Sequence, residues 1–83
     1  MNIYRISQTV NGGYDTYDSA VVVASSEKEA TLTHPSEYKK DWKGEDDGCS
    51  VWCASENVKV ELIGVVLFDD IEAGVVCASY NAG

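Results

Sequence analysis

The run Ala20-Val21-Val22-Val23-Ala24 leaves this chain the fewest folding options. Consecutive β-branched residues lose rotamer freedom in a helix and pack well on a pleated strand. An apolar run without alternation predicts a strand buried on both faces, hence central in its sheet. Upstream, Asn11-Gly12-Gly13 is the sharpest turn signal, because Asn and Gly tolerate the positive φ of tight hairpin turns. Before that turn, Asn2 to Gln8 reads as a strand in which Ile3, Tyr4 and Ile6 interleave with Arg5 and Ser7. The first strand and the second, Tyr14 to Ala24, are therefore expected as antiparallel neighbours. The polar half of the second strand, Tyr14 to Ser19, is expected to protrude beyond the covered region.

Ser26 followed by Glu29 is a capping-box pattern, and Glu27 and Glu29 suit the positive end of a helix dipole. A short helix is expected from about Glu27 to Thr33, with Ala30 and Leu32 as its buried contacts. His34-Pro35 stops it, since the residue before Pro is pushed out of the helical region. Residues 35–56 form a long polar stretch with two Trp and two Cys. Long ordered loops in small domains tend to carry function. Asn57 to Val66 alternates Val58, Val60 and Leu62 with Lys59 and Glu61, the pattern of a one-sided strand. After an acidic loop holding Asp69, Asp70 and Glu72, Val75 to Tyr80 is the fourth strand. The order β-β-α-β-β predicts an α+β domain: an antiparallel four-stranded sheet with one short helix on a face.

With 83 residues the chain has room for one domain. A chain this size buries roughly 60–65% of its unfolded surface, enough for one core but not for a core plus a deep, dry active site. Fourteen acidic residues against six basic ones give a net charge of −8, which repels nucleic acid and anionic lipid. Direct nucleic-acid binding needs a basic stripe. The sole lysine cluster, Lys39, Lys40 and Lys43, is diluted by Asp41, Glu45, Asp46 and Asp47. The start of the chain lacks the basic segment and apolar run of a signal peptide, and no stretch is apolar over the ~20 residues of a membrane span. Three cysteines, an odd number, then fit free thiols in a reducing cytosol.

Cys49, Cys53, Cys77 and His34 are the set that zinc chemistry can use, but their spacing is not diagnostic, and no metal or cofactor is expected. A Ser/His/Asp or Cys/His engine would have to run through His34, the lone histidine. After a short helix such a residue more commonly caps carbonyls. Asp15 and Asp18 read as turn-forming carboxylates before they read as an acid–base pair.

The polar–aromatic block past the first hairpin carries more information. Tyr14, Tyr17, Trp52 and Tyr80 are candidate stacking rings for a nucleobase. Arg5, with the lysine cluster, can neutralise phosphate. Asp15, Asp18 and Asn81 can bond ribose or base edges, and Thr16 and Ser19 add hydroxyls to the same surface. No phosphate-cradling Gly loop is present, since Asn11-Gly12-Gly13 is a turn.

Several stretches together resemble a family of short proteins of tailed bacteriophages. They are Tyr4-Arg5-Ile6-Ser7-Gln8, the run Gly13-Tyr14-Asp15-Thr16-Tyr17-Asp18-Ser19-Ala20-Val21-Val22, and His34-Pro35-Ser36. Trp52-Cys53, Val58-Lys59-Val60-Glu61, Ile63-Gly64 and the ending Ala78-Ser79-Tyr80-Asn81-Ala82-Gly83 complete the likeness, while Cys49 and Cys77 lie outside its pattern. The resemblance implies a phage gene expressed in the host bacterial cytoplasm, and it implies no reaction. The leading expectation is a non-catalytic counter-defence protein that binds and sequesters a nucleotide-like immune signal. The alternative is an acidic, anti-CRISPR-type inhibitor docking on a basic, nucleic-acid-binding defence protein. A virion assembly protein comes third, and a small hydrolase using His34 last. A homodimer is compatible with the exposed edges of a small sheet.

Overall fold

The computed structural model describes residues 1–10, 12, 15–36, 39–45, 51–67 and 71–81. Strands β1 (Asn2–Ser7), β2 (Thr16–Ala24), β3 (Lys59–Val65) and β4 (Gly74–Asn81) form one antiparallel sheet in the order β3-β1-β2-β4. Among the described residues one α-helix, α1 (Glu27–Thr31), covers one face, and a 3-10 turn at Ser55–Asn57 leads into β3. This is the expected β-β-α-β-β domain. Among the described residues no helix is long and apolar enough to cross a membrane.

The hairpin pairing runs from Asn2 opposite Ala24 to Ser7 opposite Ser19, which stacks Tyr4 on Val22 and Ile6 on Ala20. Those four, with Ala24, Ala30 of α1 and Trp52, make the core. Three of its members are alanines, and their small side chains let α1 lie close to the sheet. Val22, Val23 and Ala24 are buried in succession, as the apolar run predicts for a central strand. Val21 is only half-buried: it stands between exposed Arg5 and exposed Cys77 on the face away from α1, which is uncovered there although Val23 farther along it is buried.

Ser26 caps α1: its hydroxyl accepts the Glu29 N–H at 3.2 Å, and the Glu29 carboxylate accepts from the Ser25 hydroxyl. The helix ends two residues before the expected Thr33. The Thr33 hydroxyl bonds the Glu29 carbonyl at 2.9 Å, the acceptor a continuing helix would offer the Thr33 N–H, and that N–H turns to Ala30 instead. Leu32 was expected inside, yet it is 37% exposed. It lies beside Gly44, whose φ of 96° lies in the left-handed region.

The polar half of β2 does not protrude freely. The Tyr17 N–H donates to the Val51 carbonyl at 3.0 Å, which fastens the 51–53 segment over it, and Thr16 is buried. Trp52 and Cys53 enter the interior from this segment.

Candidate functional site

Strand β2 loses its regular alternation at Asp18. Tyr17 pairs with Tyr80 and Ser19 with Ser79, so Asp18 is an extra residue in the ladder. Such a bulge re-aims the side chain beside it. Tyr17 accordingly leaves the uncovered face, where Ser19 and Val21 lie, and packs against the core. Gln8 holds the kink from behind: its N–H donates to the Asp18 carbonyl at 3.2 Å and its side-chain amide to the Tyr17 carbonyl at 2.9 Å.

Tyr17 and Tyr80 then form a tilted pair, with centroids 4.8 Å apart. Tyr80 is 48% exposed, and its hydroxyl donates to the Asp15 carboxylate at 3.3 Å. Asp15 has a φ of 60°, a region in which a short polar side chain is the best tolerated after glycine. Partial burial and then the Asp15 carboxylate, as charge and as acceptor, push the Tyr80 phenol above its ordinary value, with Tyr17 adding a smaller push.

On the other side of Tyr17 the rings continue. His34 meets Tyr17 edge-on at 6.3 Å and Trp42 edge-on at 5.4 Å. The sequence suggested a helix-end cap at His34; the hydrogen bond seen at its Nδ1 is to Ser36, past the helix. Its ring is buried and its Nδ1 accepts the Ser36 N–H at 3.0 Å, so that nitrogen carries no proton. Trp42 is half-buried and donates its indole N–H to the Glu45 carbonyl at 2.7 Å. The Trp42 N–H reaches the Lys39 carbonyl and the Lys39 N–H the Ser36 carbonyl, which ties the 39–42 segment back to Ser36.

Between that segment and β4 runs a groove made of two hollows that share Ser36 and Val75. The first, about 270 Å³, has Lys39 and Lys40 on one wall and Gly74 at its β4 side. The second, about 350 Å³, has Tyr17 and Tyr80 with Pro35 and Ala78. Two lysines at one end and two tyrosines at the other make an amphiphilic trough. It is half-open, so a ligand would keep one side in water.

Of the residues the sequence nominated, the structure brings Tyr17, Tyr80 and Asp15 together, with Lys39 and Lys40 further along the same groove. Asp18 is exposed at the bulge, where its carboxylate faces the Ser79 hydroxyl at 3.5 Å. Asn81 pairs with Thr16 at the end of the ladder. Arg5 and Ser19 lie on the uncovered face, away from the groove; Arg5 stands opposite Val21 and Glu61. Trp52 is 2% exposed and has no ring face to offer a ligand; it fills the core beneath the site instead. Thr16, equally buried, is likewise structural. Tyr14 lies outside the described residues.

Cys49 also lies outside them. Cys53 is buried, Cys77 is exposed on the uncovered face, and among the described residues no group of three or more His, Cys, Asp or Glu side chains gathers as a metal site would require. Sequence reasoning missed Pro35, Ser36 and Val75 as groove residues. The signal was available in part: His34-Pro35-Ser36 ends the helix, but that Pro35 and Ser36 would border β4 is a long-range fact.

Comparison with protein-family models, with curated proteins and with solved structures yields no match for this chain.

Proposed function

We propose that this chain is a non-catalytic phage accessory protein that sequesters a nucleotide-like signal in the groove beside β4. The supporting observation is the pairing of Tyr17 and Tyr80 with Lys39 and Lys40 in one trough. Tyrosine faces accept a base by stacking, at a typical gain of about 1–3 kcal/mol per base. Lysine ammonium groups neutralise phosphate as point charges. Tyr80 lies six residue steps along β4 from Gly74, roughly 20 Å of chain at the usual strand rise. That length favours two linked nucleotide units, such as a cyclic dinucleotide or an ADP-ribose derivative, over a single nucleotide. Asp15 holds the Tyr80 hydroxyl and so sets the outer ring before a ligand arrives. The phage origin, and with it action in the host cytoplasm, rests on the resemblance of the Gly13–Val22 block and the C-terminal tail.

A ligand that binds only the native state raises its melting temperature. Thermal shift with a panel of cyclic dinucleotides and ADP-ribose derivatives tests the reading. At least one should stabilise the wild type and fail with Tyr17→Ala and with Lys39→Ala/Lys40→Ala. Recovery of the ligand intact after heat denaturation distinguishes capture from hydrolysis. A panel that stabilises nothing, or stabilises the variants equally, removes the reading.

The net charge of −8, with Asp15 and Asp18 both exposed at one end of the sheet, supports the second reading, an inhibitor docked on a basic defence protein. A pulldown from infected cells that yields a nucleic-acid-binding defence subunit would favour it. Copurification with virions would favour assembly.

A further inference from the structure

We propose that the outer edge of β3 pairs with β3 of a second copy of this chain, antiparallel and centred on Val60. Among the described residues, β3 has a neighbour, β1, on one side only. An edge strand presents a row of unpaired N–H and C=O groups that another strand can take up. Leu62 is 55% exposed on this strand, although it stands opposite Tyr4, one of the most buried residues in the sheet.

Side chains choose the register. Lys59 and Glu61 are both exposed and stand opposite Ser7 and Arg5 on the uncovered face. With the two-fold axis at Val60, Lys59 faces Glu61 of the second copy, and Glu61 faces its Lys59. Two reciprocal pairs of opposite charge result, the self-complementarity an isologous contact needs. On the covered face the same register sets Val60 against Val60 and Leu62 against Val58. Val58 precedes β3 but is already extended, at φ −79° and ψ 127°, so the new ladder can run through it. Val58 and Val60 pack against the core in each copy, so the contact joins two apolar rows and covers Leu62.

Neighbouring registers fare worse. An axis at Lys59 or at Glu61 sets like charges face to face. An axis at Leu62 sets Glu61 against Ile63 and Lys59 against Val65. The uncovered-face charges and the covered-face valines therefore agree on one alignment.

A strand-to-strand contact of this size is weak, with a dissociation constant on the order of 1–100 μM. Sedimentation velocity over that range tests it. The wild type should be a dimer at the upper end. Lys59→Glu and Glu61→Lys should each raise the dissociation constant at least tenfold, and the double exchange should return it to within about threefold of wild type. Leu62→Lys, which leaves both charges in place, should also give monomer, and circular dichroism of dilute protein checks that each variant folds. A wild type that stays monomeric throughout, or single variants that associate as well as wild type, overturns the pairing. A double exchange no better than its single components overturns it as well, because the register is what the proposal asserts.

Discussion

Strand β2 is two different objects end to end. From Ala20 to Ala24 it keeps its alternation, with Tyr4 and Ile6 stacked beside it and α1 above. From Thr16 to Ser19 it carries a bulge, a backbone pinned by Gln8 and Val51, and a tyrosine turned out of its regular place. The apolar end spends its side chains on burial. The bulged end uses the same backbone ladder to hold rings at a surface. The lesson is that the candidate site is built by breaking a period, on a strand kept rigid by the part where the period holds.

The contrast is sharpest between two rings. Trp52 lies buried beneath the bulged end, and Trp52→Ala should cost about 3–5 kcal/mol, close to the whole stability of a domain this small. Tyr80→Ala, at the half-exposed rim, should cost about 1 kcal/mol or less. Urea denaturation measures both. Equal costs would mean that the rim ring belongs to the core and the division of β2 fails.

A smaller effect is expected behind Leu32, which lines the lysine end of the groove. Gly44 has a φ of 96°, and a Cβ there would lie 2.6 Å from the Ser55 hydroxyl oxygen and 2.8 Å from a Leu32 methyl. Gly44→Ala combines backbone strain with a clash and should cost about 1–3 kcal/mol by the same denaturation. Ligand affinity should fall with it, because the 39–45 segment bearing the lysines is displaced.

Deleting Asp18 tests the bulge itself. The strand can close its ladder without the extra residue, at a cost of about 1–3 kcal/mol. Tyr17 then directly precedes Ser19, and strand alternation keeps the two on opposite faces, so Tyr17 should stay on the covered face. Nuclear Overhauser contacts between Tyr17 and both Tyr80 and His34 should persist with those between Tyr4 and Val22, and their loss would contradict the register with β4.

The smallest effect is electrostatic. The Tyr80 phenol is raised above its ordinary 10.0 by partial burial and by Asp15. A raised folded-state value favours the protonated phenol, so its contribution to stability is complete below pH about 10 and is lost as the pH climbs through the folded-state value. Asp15→Asn should lower the Tyr80 titration midpoint, read as the phenolate absorbance that Tyr80→Phe removes.

Much of the fold was legible because its signals are local. The Ser26 cap and the valine run each act within a few residues, and they dictate the helix start and the central strand; the expected Asn11-Gly12-Gly13 turn rests on Asn11 and Gly13, which lie outside the described residues. The bulge was not legible, because Asp18 becomes an extra residue only in the register that β4 imposes from more than sixty positions away. The same holds for Trp52. Its composition and neighbours fit a half-wet ring as well as a core one, and the Tyr17–Val51 hydrogen bond decides between them. Arg5 was grouped with the tyrosines by its chemistry, whereas strand alternation alone sends it to the opposite face from Tyr4 and Ile6.

Amide chemical shifts, followed as a stabilising cyclic dinucleotide or ADP-ribose derivative is titrated in, test the central claim most directly. Ser36, Lys39, Val75, Ala78 and Tyr80 should move together along one saturating curve, while Arg5, Val21 and Cys77 on the uncovered face stay still. Shifts confined to the uncovered face, or none along β4, would contradict the account.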